Sequence, residues 1–515
     1  MRVVYPLIHT FMDLDPRICS QARLSRDARF DGRFFIGVKS TRIYCRPICP
    51  VRTVKEQNVR YFPSAAAAGE AGYRPCMRCR PESSPGTPGW SGTSTTVSRA
   101  LRLISESALE DGGVSVLASR LGIGSRQLRR LFVRHLGASP IAVASTRRLH
   151  FAKKLIDETN LPMGQIALAS GFGSVRRFNA AFRKTYKRTP SQIRRFAHLA
   201  SIKLENEYLF RLDFRPPFHW DALLEFLARR AIPGVEAVEA GSYYRTISLN
   251  GDSGSFSVSV QKGSSALQVR IAFPESRWLF LIIERLRRMF DLGADPGEIA
   301  IALAADPLLA KKIDAVPGLR VPGCWDGFEF AVRAILGQEV SVTEASTLAG
   351  RLVRAFGTQI NASALLTHLF PTVQVLAEAD IARIGLPKKR AETIRALAHT
   401  VNEGRIVFAS VANVEEFRAR LLEIPGIGEW TAQYIAMRAL GDPDAFPASD
   451  LGLLRSSSMQ SEYELARRAE AWRPWRSYAA MYLWQGTAET YSKEYDERSE
   501  AERTPTLARS AAIAR

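Results

Sequence analysis

Four of the chain's six cysteines fall in two close pairs, Cys45-Arg-Pro-Ile-Cys49 and Cys76-Met-Arg-Cys79. Two short-spaced thiol pairs suit tetrahedral zinc, because each pair reaches one ion from a single turn of chain. No histidine lies between His9 and His135, so the expected set is one Zn2+ on Cys45, Cys49, Cys76 and Cys79. A closed structural knuckle and a reactive thiolate centre both fit that spacing. A second constellation lies far downstream. Ile424-Pro-Gly-Ile-Gly428 separates a helix expected over Glu415–Glu423 from one that begins at Glu429. Pro425 ends the first helix, and Gly426 and Gly428 permit a tight turn. The free amides that open the next helix can hold a phosphate. Phe446-Pro-Ala-Ser-Asp450 then supplies a carboxylate close behind this helix-hairpin-helix element.

The elements that must position these residues divide the chain at three compositional breaks. Ser83 to Thr96 is rich in Ser, Thr, Gly and Pro and reads as a flexible linker. Helical periodicity stops after Arg195, and from Trp484 on the chain turns polar and acidic. Between the first two breaks, Ala118-Ser-Arg-Leu-Gly122 and Ala167-Leu-Ala-Ser-Gly171 each precede a basic helix, with Ser125 and Ser174 as expected N-caps. Leu128, Phe132, Phe178 and Phe182 recur at i, i+4 and are expected to face the core. That leaves Arg126, Gln127, Arg129, Arg130, Arg176, Arg177 and Asn179 for a DNA groove, as in paired helix-turn-helix units. Alternation from Leu209 to about Arg270 predicts an antiparallel sheet, and helices follow to Trp484.

The expected class is therefore multidomain α+β. A small α/β zinc domain spans 1–83 and an all-α double helix-turn-helix domain 97–196. An antiparallel β domain spans 203–285, an all-α helix-hairpin-helix domain 286–486, and a disordered tail 487–515. Lys and Arg number 71 against 51 acidic residues, a net charge of +20, which favours a polyanion such as double-stranded DNA as partner. No stretch approaches the about 20 apolar residues of a membrane span, no signal peptide is read, and paired thiols suit a reducing compartment. A cytoplasmic monomer is expected.

Three resemblances follow from the same residues. Asp31-Gly-Arg-Phe-Phe-Ile-Gly-Val38, Tyr44–Cys49 and Arg74–Pro81 resemble the N-terminal domain of the Ada adaptive-response family. The second region, ending Arg188-Thr-Pro-Ser-Gln-Ile-Arg-Arg195, resembles the AraC-type DNA-binding domain. Arg215-Pro-Pro-Phe218, Gly323–Glu329, Ala334–Gln338, the hairpin and Trp472–Tyr478 resemble AlkA, the 3-methyladenine DNA glycosylase II. The first resemblance implies that Cys45 accepts a methyl group from a methylated DNA phosphate. Four thiolates on Zn2+ carry a formal charge of about −2, and methylation removes one of those charges, which would strengthen DNA binding. Arg46, Arg52, Arg78 and Arg80 are expected to hold the backbone, and RNA polymerase is a further expected partner of such a regulator.

The third resemblance implies Asp450 as the catalytic carboxylate, with Gln338, Gly426 and Gly428 at the DNA. Alkylated purines leave readily, so the need is for an anion beside the developing sugar cation and an aromatic pocket for a flipped base. Trp430, Tyr434, Trp484 and Phe226 are the pocket candidates. Trp430 stands where lyase-competent relatives carry lysine, so no Schiff base and no strand cleavage are expected. No cysteine follows Cys324, which excludes a four-cysteine iron–sulfur loop downstream. Glu339 follows Gln338, where the resemblance implies an apolar wedge into the duplex. The alternative reading is a transcription regulator with a weak or inactive glycosylase domain. A repair enzyme whose front half only concentrates it on DNA is a third.

Overall fold

The computed structural model describes residues 14–85, 95–105, 113–195, 206–261, 263–360, 362–409, 411 and 413–485. Near the N-terminus, strands β1 (Phe35–Val38), β2 (Ile43–Cys45), β3 (Val59–Phe62) and β4 (Arg74–Pro75) form a sheet ordered β3-β1-β2-β4. The pairs are antiparallel except β2 against β4. Gly37 in β1 answers a close approach, since a Cβ there would lie 2.6 Å from the Phe62 ring. Helix Pro16–Ser25 starts on an Asp15 cap with proline in its first turn, and helix Ala65–Glu70 starts on Ser64. The parallel register sets Tyr44 beside Pro75, and Cys76 N donates to Tyr44 O at 2.9 Å. Two distant cysteine pairs thereby meet at one end of the sheet.

Two helix-turn-helix units follow, as the repeated pattern predicts. The first pairs Gly113–Arg120 with Ser125–Leu136, and the second pairs Met163–Ala169 with Val175–Tyr186. The long helix Pro140–Glu158 joins them. Leu128, Phe132, Phe178 and Phe182 are fully buried, and each such side chain contributes about 1.5–3 kcal/mol of transfer free energy. Ser174 caps its helix by accepting from Arg177 N, but Ser125 does not cap. Gly124 holds that N-cap position and Ser125 is already helical. Glycine fills a cap without a side-chain acceptor, so serine in the sequence marked the turn one residue late.

The expected antiparallel sheet comprises β5 (Glu207–Asp213), β6 (Glu236–Glu239), β7 (Ser242–Leu249), β8 (Asp252–Val260) and β9 (Ala266–Ala272), ordered β5-β9-β8-β7-β6. Helices then run to Arg476–Trp484. The hydrophobic cores do not follow the compositional breaks. Phe35, Tyr44 and Phe62 of the first sheet share a core with Leu128 and Phe132. Leu155, Phe178 and Phe182 share one with Phe210, Leu212 and Ile283, and Phe151 meets Phe280 edge to face at 4.9 Å.

Where the sequence suggests a flexible linker, its first residues are packed. Ser83 and Ser84 are buried, Ser84 O accepts from Arg287 Nη2 at 3.3 Å, and a helix already spans Thr95–Ser105. Small polar residues make flexible chain only when nothing covers them; here the helix bearing Arg287 does. Residues 86–94 of that expected linker, the junction at 196–205 and the 487–515 tail lie outside the described residues.

Candidate functional site

The sulfurs of Cys45, Cys49, Cys76 and Cys79 all lie within 4.8 Å of one another. A tetrahedral Zn2+ at 2.3 Å from each ligand sets sulfur–sulfur edges of about 3.8 Å, so the set closes on one ion with small shifts. No other ligand type is needed. Cys45, Cys76 and Cys79 are buried and Cys49 is half-buried. Backbone amides reach two of the sulfurs. Arg46 N donates to Cys79 Sγ at 3.3 Å and Arg78 N to Cys76 Sγ at 3.4 Å. Among the described residues, no amide donates to Cys45.

Two of the four arginines assigned to the DNA backbone are committed elsewhere. Arg46 is buried, pairing with Asp31 and with Asp213 at the end of β5. Arg80 pairs with Glu82, Asp157 and Glu158. Adjacency to the cysteines in sequence placed them near the centre but not on its outer face. Arg52 and Arg78 are exposed. So are Arg126, Gln127, Arg129 and Arg130 on one recognition helix and Arg176 and Arg177 on the other, with Asn179 half-buried.

The hairpin forms as the sequence predicts, with helices Val414–Leu422 and Glu429–Ala439. Gly426 has φ +92°, and a Cβ there would collide with Thr393, so both conformation and space require glycine. Gly428 is the N-cap of the second helix and brings no capping side chain, which leaves the opening amides for a ligand. Gln338 braces the turn: its Nε2 donates to Gly426 O at 3.0 Å and Thr431 Oγ1 at 2.9 Å. Glu339 has φ +57°, its side chain is 91% exposed, and its carboxylate stands 3.6 Å from Arg390.

Asp450 caps helix Leu451–Ser457. Its Oδ1 accepts from Leu453 N at 3.0 Å and Trp484 Nε1 at 2.9 Å, and its Oδ2 accepts from Trp430 Nε1 at 2.9 Å. A carboxylate oxygen takes about two donors, so Oδ1 is saturated while Oδ2 keeps a lone pair. Trp430 stacks on Tyr434 with centroids 5.3 Å apart, and Tyr434 meets Trp484 edge-on at 6.0 Å. The structure thus brings Asp450, Trp430, Tyr434 and Trp484 together. Phe226 lies nearby, but Arg230 and Arg438 stand 3.8 and 4.8 Å from its ring centroid. Its π faces are engaged by the chain's own cations. Burial would raise the Tyr434 phenol, yet the Arg438, Arg230 and Arg333 guanidiniums outweigh it and hold the pKa below its ordinary value.

Sequence reasoning missed Arg230, Arg438, Thr431, Asp31 and Asp213. It also took Trp430 and Trp484 only as stacking walls, although an indole N–H beside a carboxylate is a donor in search of that acceptor. Metal analysis of the purified chain is expected to give one zinc per chain, and X-ray absorption a first shell of four sulfurs. Nitrogen or oxygen in that shell would contradict the assignment.

Three family models match the chain: the metal binding domain of Ada over residues 18–82, a helix-turn-helix domain over 117–195, and the AlkA N-terminal domain over 209–326. The chain is 43% identical over 475 residues to a Mycobacterium tuberculosis protein described as a probable bifunctional transcriptional activator/DNA repair enzyme AlkA, covering 90% of this chain and 95% of that one. The DNA-3-methyladenine glycosylase 2 of Escherichia coli is 34% identical over 279 residues, 54% of this chain and 96% of its own length. Bacillus subtilis AdaA, a bifunctional transcriptional activator/DNA repair enzyme, is 31% identical over 190 residues, 36% of this chain and 84% of its own. With one relative matched nearly end to end and two others matched by its separate halves, the chain belongs to the family of bifunctional transcriptional activator/DNA repair enzymes AlkA.

Proposed function

We propose that this chain is a monofunctional DNA glycosylase for alkylated purines of the 3-methyladenine type, joined to a zinc-thiolate methyl acceptor and a sequence-specific DNA-binding unit that regulates the alkylation response. The observation that carries the reading is the Asp450 carboxylate held between the Trp430 and Trp484 indoles beside the hairpin. The two N–H groups fix the carboxylate plane, and the spare lone pair on Oδ2 is the one that can face the sugar as positive charge develops. A flipped, alkylated base stacks against Trp430 and Trp484. Gly428 and the amides after it hold a phosphate beside the lesion. Trp430 offers no amine, so the abasic strand stays intact.

At the cysteine centre, bound zinc would keep all four sulfurs as thiolates at neutral pH. Amide donors quench the basicity of Cys76 and Cys79, and nucleophilicity falls with basicity. Access alone favours half-buried Cys49, whereas the likeness to the metal binding domain of Ada favours Cys45, and we take Cys45 as the acceptor. Its sulfur attacks the methyl carbon, the methyl–oxygen bond breaks, and the phosphate leaves as the ordinary diester anion. The exposed arginines of helices Ser125–Leu136 and Val175–Tyr186 read two successive major grooves. RNA polymerase is the further partner of such a regulator, which acts as a monomer. Among the described residues no helix is long and apolar enough to cross a membrane.

Glu339, an exposed carboxylate where an apolar wedge is expected, favours the second reading of a regulator with weak or inactive glycosylase. Quantitative footprinting on promoter fragments, before and after exposure of the protein to methylphosphotriester DNA, tests the coupling. Loss of one negative charge from the cluster is expected to tighten operator binding about tenfold, by summed Coulomb terms of a few tenths of a kcal/mol per phosphate. Unchanged protection at every concentration would reduce the front half to a DNA tether.

A further inference from the structure

The two neighbours of Cys45 are each gripped by a different part of the chain. Tyr44 Oη lies 2.9 Å from His150 Nε2, on the long helix Pro140–Glu158. Arg46 reaches in the other direction, 167 residues along, to Asp213 of the glycosylase half. Its Nη2 is 2.8 Å from Asp213 Oδ2, and its Nε donates to Asp31 Oδ1 and Oδ2 at 2.9 and 3.1 Å. The three side chains are 4–6% exposed. The same arginine brackets one metal ligand, with its backbone N–H on Cys79 Sγ and its Nη1 donating to Cys79 O at 3.2 Å.

Asp31 alone would neutralise Arg46. A second buried carboxylate costs desolvation, offset here by Arg211, whose Nε donates to Asp213 Oδ1 at 2.7 Å. What Asp213 adds beyond charge balance is direction: it accepts from Nη2, the nitrogen that also donates to Asp31 Oδ2, and so ties the guanidinium to β5 as well as to Asp31. We propose that Asp213 is a positioning residue for the methyl-acceptor centre, supplied by the glycosylase half. Through Arg46 it fixes the end of β2, which carries Cys45, together with the amide on Cys79. The acceptor geometry is then complete only when the two halves are docked. This inference rests on the reading of Cys45 as acceptor.

The test uses the full-length, zinc-loaded chain carrying Asp213→Asn, Asp213→Glu or Arg211→Ala. Three rates are read: zinc transfer to a chromophoric chelator, methyl uptake at Cys45 from methylphosphotriester DNA, and release of free methylated base as a check on folding. Partners that orient metal ligands typically change affinity or activity by about 10- to 100-fold when removed. Asp213→Asn is therefore expected to release zinc faster and to methylate Cys45 about tenfold more slowly at saturating DNA. Half-saturation by DNA and base release stay near parental values. Asp213→Glu restores both rates toward the parent, and Arg211→Ala, a change at a side chain 44% exposed, shifts them the same way to a lesser degree. Parental chelator and methylation rates in Asp213→Asn would overturn the proposal. If the parent takes its methyl group on another cysteine, the acceptor reading fails instead, and the chelator rates still decide the role of Asp213.

Discussion

Replacing Asp450 with Asn is expected to slow release of alkylated bases about 10²- to 10³-fold, or roughly 3 to 4 kcal/mol, the usual cost of removing one preorganised electrostatic group from a transition state. The structure adds a second reason. Asp450 accepts from two indoles and from Leu453 N, and an amide cannot accept on both ends. If the remaining oxygen keeps Leu453 N and Trp484, the new NH2 faces the Trp430 N–H, donor against donor. Leaving a partly buried donor unpaired costs about 1–3 kcal/mol, so the variant should also melt a few degrees lower and hold Trp430 less firmly. Affinity for alkylated duplex should stay within a few-fold, because the hairpin amides and Gln338 are untouched. Single-turnover release at the parental rate would remove Asp450 from the chemistry.

Cys45→Ala is expected to abolish methyl uptake while base release continues unchanged. The variant also removes one thiolate charge, as methylation would. Operator binding should therefore be constitutively tight, by about the tenfold expected for the methylated parent, with the gain shrinking as salt rises. Mass spectrometry of tryptic peptides from the methylated parent settles the acceptor: a methyl group on Cys49, Cys76 or Cys79 there would overturn the assignment to Cys45. The zinc content of the variant is measured alongside, so that loss of metal and loss of the acceptor are told apart.

Much of the site was legible because its signals are local. Cys-x3-Cys and Cys-x2-Cys name a tetrahedral centre from spacing alone, and the four sulfurs do converge. Pro425, Gly426 and Gly428 name the hairpin, and the φ of Gly426 confirms why glycine stands there. Leu128, Phe132, Phe178 and Phe182 name the buried faces of two helices. What the sequence hid depends on partners far apart in the chain. Arg46 read as a phosphate ligand because Asp213 lies on a strand that no spacing rule connects to it. Arg80 was hidden the same way by Glu158. Phe226 read as a free aromatic face because nothing in the sequence stacks Arg230 and Arg438 on it. Ser83 and Ser84 read as linker because composition cannot see the helix that covers them.

One chain is expected to couple a working glycosylase to a methyl-accepting regulator, and Glu339 makes the glycosylase the weaker side of that reading. The most direct test incubates the unaltered full-length chain, in excess, with duplex DNA treated with a methylating agent, and follows free 3-methyladenine by chromatography alongside strand integrity. First-order release of the free base is expected, with abasic strands that stay whole until alkali is added. DNA bound by the protein but yielding no free base would contradict it and leave a regulator carrying an inactive glycosylase fold.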